Sequence, residues 1–122
     1  MGMDVIGMNP TIEEGEYFRR NIWYWTPLAV FCTGAAPEIC GDTADEWGKW
    51  FFNDGHGLNA ENSIRLAARL EEALVDGTIE QYLSDLRQHP ECDYERYRDA
   101  ASPENIRAFI TFLRSCGGFQ IW

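Results

Sequence analysis

The sequence predicts a mainly α-helical domain with a minor two-stranded β element formed by its two ends; an α+β arrangement is the alternative. Three observations carry this. Apolar residues recur at helical spacing in two long stretches, Leu66, Ala67, Leu70, Ala73, Leu74 and Ile106, Phe109, Ile110, Leu113. Start signals precede both, Asn59 before the first and Ser102-Pro103-Glu104 before the second. Strand-like residues are confined to 4–8 and 119–122. With 122 residues and no repeat or long linker, the chain reads as one domain over 1–122.

Taken in order, Asp4-Val-Ile-Gly-Met8 predicts a short strand ending at the Asn9-Pro10 turn signal. Thr11 and Glu14 have capping-box spacing, and Phe18, Ile22 and Trp25 then fall on one helical face, so a helix is expected from about residue 12. Pro27 lacks an N–H and should end or kink that helix, with 28–32 as a second piece. Thr43 and Glu46 repeat the box ahead of Trp47, Trp50 and Phe51. Two glycines within Asn53-Asp-Gly-His-Gly-Leu-Asn59 predict a structured loop. A helix follows to about Val75, stopped near Gly77, with Glu61 and Arg65 paired at i, i+4. Thr78 caps the next helix, ended by Pro90, whereas 91–101 is ambiguous. The 103–115 helix stops at Gly117-Gly118, and Phe119 to Trp122 form a strand pairing with 4–8 to bury Val5 and Ile121. The expected core holds Phe18, Trp25, Leu66, Leu70, Leu74, Ile106, Phe109 and Leu113.

Composition excludes several functions. Twenty acids against ten bases give a net charge of −10. No basic stripe exists to neutralise phosphates, so direct nucleic-acid binding is not expected. The same charge disfavours an anionic membrane surface, and no stretch has the roughly 20 apolar residues that a spanning helix needs. The N-terminus lacks a secretory signal pattern, so the expected location is the cytoplasm, with cysteines reduced. Cys32, Cys40, Cys92 and Cys116 contain no Cys-x-x-Cys and read as buried free thiols.

Chemistry-bearing motifs are sparse. His56 and Asp54 in the glycine loop are the acid–base candidates, and Cys32 is a conceivable nucleophile, though no local signature joins them. His56, His89 and Cys92, with Cys40, are the metal-ligand candidates; Pro90 interrupts the His89–Cys92 spacing. The competing reading makes 53–59 a structural connection whose polar side chains satisfy local backbone groups. No phosphate loop, dinucleotide fingerprint or nucleophile elbow occurs. Among the aromatics, Trp25, Trp47 and Trp50 read as core, whereas Trp23 and Tyr24 fall on another side of their helix and could anchor a partner.

Three blocks also recur together: Gly15-Glu-Tyr-Phe-Arg-Arg-Asn21 continuing into Trp23-Tyr-Trp-x-Pro-Leu28, then Asn53-Asp-Gly55 with Gly57-Leu58, then Gly117-Gly-Phe119. In these the chain resembles, over nearly its whole length, a family of small bacterial and phage-associated proteins. The resemblance implies kinship without an activity, substrate or catalytic residue to carry over. Longer members place paired Cys-x-x-Cys motifs in the region of 88–100, where this chain keeps only Cys92. The function expected is therefore a small acidic protein-binding module of inhibitor, immunity or anti-defence type, needing no metal or organic cofactor and meeting a basic protein. The alternative is an enzyme or metal-binding protein centred on the 53–59 loop.

Overall fold

The computed structural model describes residues 2–40, 55–88 and 94–122, with the side chains of 2, 3, 20–23 and 37 left out. Within these residues the chain is mainly helical. Strand β1 (Gly2–Gly7) leads through a 3₁₀ turn (Glu13–Gly15) to β2 (Tyr17–Asn21). Helices α1 (Ile22–Ala35) and α2 (Pro37–Cys40) follow. After the undescribed segment come α3 (Ala60–Val75), α4 (Thr78–Arg87), α5 (Tyr94–Ala100), α6 (Pro103–Ser115) and β3 (Phe119–Ile121).

The ends meet as the strand-like character of residues 4–8 and 119–122 predicts: Val5 opposes Ile121 in an antiparallel register. The sheet has three strands instead of two, in the order β2-β1-β3. Its extra member is β2, where a helix was expected. The capping box fails because Ile12 holds the cap position without a side-chain cap bond, while the Thr11 N–H donates to the Ser115 carbonyl (2.9 Å). Gly15 is pressed against that same carbonyl, so closely that an added Cβ would lie 2.2 Å from it. The chain turns there, and Tyr17, Phe18 and Arg19 alternate exposed, buried, exposed against β1. Phe18 and Trp25 still converge on the core, one from a strand and one from a helix: their rings lie 5.0 and 5.9 Å from that of Phe109. The helical spacing between them is a coincidence of two elements.

Pro27 neither ends nor divides α1, which runs through it. The cost of an interior proline, about 3 kcal/mol, is outweighed by burial of Trp25, Leu28, Ala29, Phe31 and Cys32 on the same helix. At α3 the Asn59 side chain accepts from Asn62 N–H (2.8 Å), the predicted cap. Arg65 donates to Asn62 (3.0 Å) rather than pairing as expected with Glu61. Helix α4 is capped one residue earlier than predicted, by Gly77, and the Asp76 carboxylate receives both the N–H (2.9 Å) and the hydroxyl (2.5 Å) of Thr78. At α6 the Ser102 hydroxyl accepts from Asn105 N–H (3.2 Å), with Pro103 in the first turn, as the start signal predicts. The ambiguous 91–101 stretch contains α5; the expected 43–51 helix and Pro90 lie outside the described residues.

One apolar cluster lies between the inner sheet face and the helices. Val5, Phe18, Phe119 and Ile121 look inward onto Phe109, Phe112, Leu113, Leu66 and Leu70 of the packed α3–α6 pair. Phe18, Trp25, Leu66, Leu70, Ile106, Phe109 and Leu113 are buried as expected, Leu74 is half-buried at the cluster's margin, and Trp47 and Trp50 lie outside the described residues.

Candidate binding face

The alternation that turns Val5, Phe18 and Ile121 inward turns their neighbours outward, and among the described residues the helices pack on the inner side of the sheet. Two cross-strand rows result on the outer face. In the first, Ile6 stands between Tyr17 and Gln120. In the second, Asp4 stands beside Arg19 and accepts, through its carbonyl, the backbone N–H of Trp122 (2.6 Å). Ile6, Tyr17 and Trp122 are 41, 50 and 48% exposed, large values for residues this apolar within a sheet. Met8 N–H donates to the Gly118 carbonyl (2.8 Å), which extends the β1–β3 ladder and keeps exposed Met8 in phase with Ile6.

Polar bonds hold these groups in place. The Asp4 carboxylate accepts from the Tyr17 hydroxyl and from Arg19 Nε (3.1 Å). That hydrogen bond, more than desolvation or the charge of Asp4, raises the Tyr17 phenol above its ordinary value of 10.0; Arg19 opposes the rise. Trp122 Nε1 donates to the Gln120 side-chain carbonyl (3.4 Å). The indole lies across Gly55, where a Cβ would come within 2.7 Å of the ring. Beside Tyr17, the turn presents three exposed carboxylates, Glu13, Glu14 and Glu16.

The described part of the glycine loop is built into this sheet. Gly55 N–H donates to the Ile121 carbonyl (2.7 Å), Ile121 N–H to His56 (2.8 Å) and Phe119 N–H to Leu58 (2.9 Å), while Asn59 bridges Gly118. Residues 55–59 thus line the edge of β3 opposite β1. Gly57 approaches so closely that an added Cβ would meet the Phe119 carbonyl oxygen at 2.0 Å. The approach to Phe119 accounts for Gly57 and a φ of +88° for Gly55, whereas Asn53 and Asp54, whose side chains the structural reading invokes, lie outside the described residues.

The sequence-nominated residues fall differently. His56 contributes its carbonyl to the sheet and keeps its side chain in solvent. Cys32, its conceivable nucleophilic partner, is fully buried in α1, where desolvation raises its thiol well above the ordinary range. Cys40 is also buried; its thiol, pushed up to about 12 by burial and the charge of Glu38, points at the Cys32 carbonyl (3.7 Å). Asp54, His89 and Cys92 lie outside the described residues. No group of three His, Cys, Asp or Glu side chains placed to hold a metal occurs among the described residues. Tyr24 is 39% exposed on α1; the side chain of its neighbour Trp23 lies outside the description. Ile6, Tyr17 and Trp122 went unnominated, although strict alternation from buried Val5 and Ile121 points to Ile6 and Trp122.

Among the described residues no helix is long and apolar enough to cross a membrane. No family model, curated protein or solved structure matches the chain.

Proposed function

We propose that the chain is a protein-binding module whose outer sheet face receives a basic polypeptide. The observation that carries the reading is the exposure of Ile6, Tyr17 and Trp122 on the outer face, at positions that an antiparallel sheet ordinarily gives to polar residues. An aliphatic side chain flanked by Tyr and Trp supplies the apolar centre typical of an interface. Glu13, Glu14 and Glu16 beside it, on a chain of net charge −10, favour a partner of the opposite sign and speed its approach. The anchor therefore moves from Trp23 and Tyr24 to the sheet. An inhibitor or immunity role fits, in which the module covers a basic functional surface of its partner. The reading places it in the cytoplasm, where the buried thiols of Cys32, Cys40 and Cys116 stay reduced.

Affinity capture from the native cell with three baits tests this: the natural chain, the double variant Ile6→Thr/Trp122→Ser, and Tyr24→Ser. The expected result is one basic protein held by the natural chain and by Tyr24→Ser but lost by the double variant, associating more slowly as salt rises. Retention by the folded double variant would overturn the reading. So would a turnover abolished by His56→Ala, which would restore the loop as an active centre.

A further inference from the structure

A second feature lies away from the sheet. The last turn of α1, the Asp76–Gly77 turn and α4 from Thr78 to Asp85 line an open cleft of about 520 Å³. That volume falls within the range of small-molecule sites, roughly 300–1,000 Å³. Its apolar wall is the edge-on pair of Phe31 and Tyr82, with ring centroids 5.0 Å apart. Its rim carries the carboxylates of Asp76 and Asp85.

Two facts separate this cleft from a chance dent. Gly34 lines it from within a helix, where glycine costs up to about 1 kcal/mol relative to alanine, yet nothing stands within 4 Å of an added Cβ. Gly77, on the opposite wall, is equally open. The space beside Gly34 is open cleft, so a larger side chain there would project into it. The walls are also braced. Arg69 donates to the Ala35 carbonyl at the end of α1 (3.2 Å), to Asp76 (3.4 Å) and to Thr78 (3.4 Å), tying the helix end to the turn.

The charge distribution selects the ligand. Asp76 is occupied, with one oxygen receiving Thr78 and the other Arg69. Asp85 receives the Gln81 amide (2.9 Å), a neutral donor that leaves the carboxylate's charge in place. The cleft therefore joins a carboxylate on its rim to an aromatic lining of half-buried Tyr82 backed by buried Phe31, the two components that recognise an organic cation.

We propose that this cleft binds a small organic ammonium ion, with its charge at Asp85 and its apolar body against Phe31 and Tyr82. The same chemistry is offered by a free amine and by a lysine side chain. This site is independent of the sheet face.

Amide-resolved NMR titration of the full chain with benzylammonium tests it, with benzyl alcohol as the neutral twin and Nα-acetyl-lysine amide as the protein-derived form. Saturable shifts should centre on Gly34, Gly77 and Tyr82 with an ammonium probe and be absent with the alcohol. Asp85→Asn should weaken binding at least fivefold, and Gly34→Leu should abolish it by filling the cleft. The Ile6→Thr/Trp122→Ser variant should bind unchanged, so failure of the sheet reading and failure of this one are distinguishable. Whichever ammonium probe binds more tightly identifies the source. Equal binding of the alcohol, shifts scattered over the acidic surface, or undiminished affinity in folded Gly34→Leu would each overturn the proposal.

Discussion

Replacing Gly57 by alanine asks directly whether the glycine loop is part of the sheet. An alanine Cβ would sit 2.0 Å from the Phe119 carbonyl oxygen and 2.7 Å from its carbon, and backbone cannot rotate away as a side chain can. Relief requires residues 56–58 to lift from β3. That movement sacrifices the bonds from Ile121 N–H to His56 (2.8 Å) and from Phe119 N–H to Leu58 (2.9 Å). Each is worth about 0.5–1.5 kcal/mol net, and residual strain adds about 1 kcal/mol, so a loss of about 2–4 kcal/mol is expected. A chain of this length has roughly 6–18 kcal/mol to lose. Thermal and urea melts should show Tm falling by about 6–20 °C with the urea m-value preserved. His56→Ala, at an exposed side chain, should stay within about 0.5 kcal/mol of the natural chain. If Gly57→Ala melts with the natural chain, the loop is not seated on β3 and the reasoning fails.

Phe109 is fully buried and faces Phe18, Trp25, Phe112 and Phe119 with centroids 5.0–6.4 Å away, so Phe109→Ala should cost about 3–5 kcal/mol in urea denaturation. A loss below about 1 kcal/mol would place it outside the core. The Tyr17 phenol should titrate above its ordinary 10.0, followed by ultraviolet difference absorbance, and Asp4→Asn should return it toward that value. Because the folded value is the higher one, this pair's contribution to stability is complete below pH 10 and declines as pH rises through the folded value. Asp4→Asn should flatten that alkaline decline.

Helices α3 and α6 were legible because local chemistry and burial agree in them: a side-chain cap opens each, and apolar residues return every three or four positions. Residues 11–25 misled because both cues were present and tertiary contacts overrode them. A cap needs its backbone donor free, and that end of the chain is instead drawn onto Ser115. Pro27 misled for a related reason, since helix α1 is buried so thoroughly that one missing hydrogen bond does not end it. At the candidate face, the strand ends were legible from alternation, and Ile6 follows from Val5 by the same rule. The third strand was not, because β2 looks like a strand only once β1 is beside it. The 53–59 loop showed its glycines plainly; what they approach was invisible without the register of β3.

The order β2-β1-β3 also has a consequence for synthesis on the ribosome. Of the three strands the central one is made before its two neighbours, and it can pair with β2 within moments. Its other edge waits for Ile121, more than a hundred residues later. At about 5–20 residues per second that interval is roughly 6–23 s, during which Val5 and Phe18 lack much of their cover and one edge of β1 offers open hydrogen bonds to any passing strand. Emergence of β3, rather than formation of any helix, therefore sets when that edge of β1 is closed.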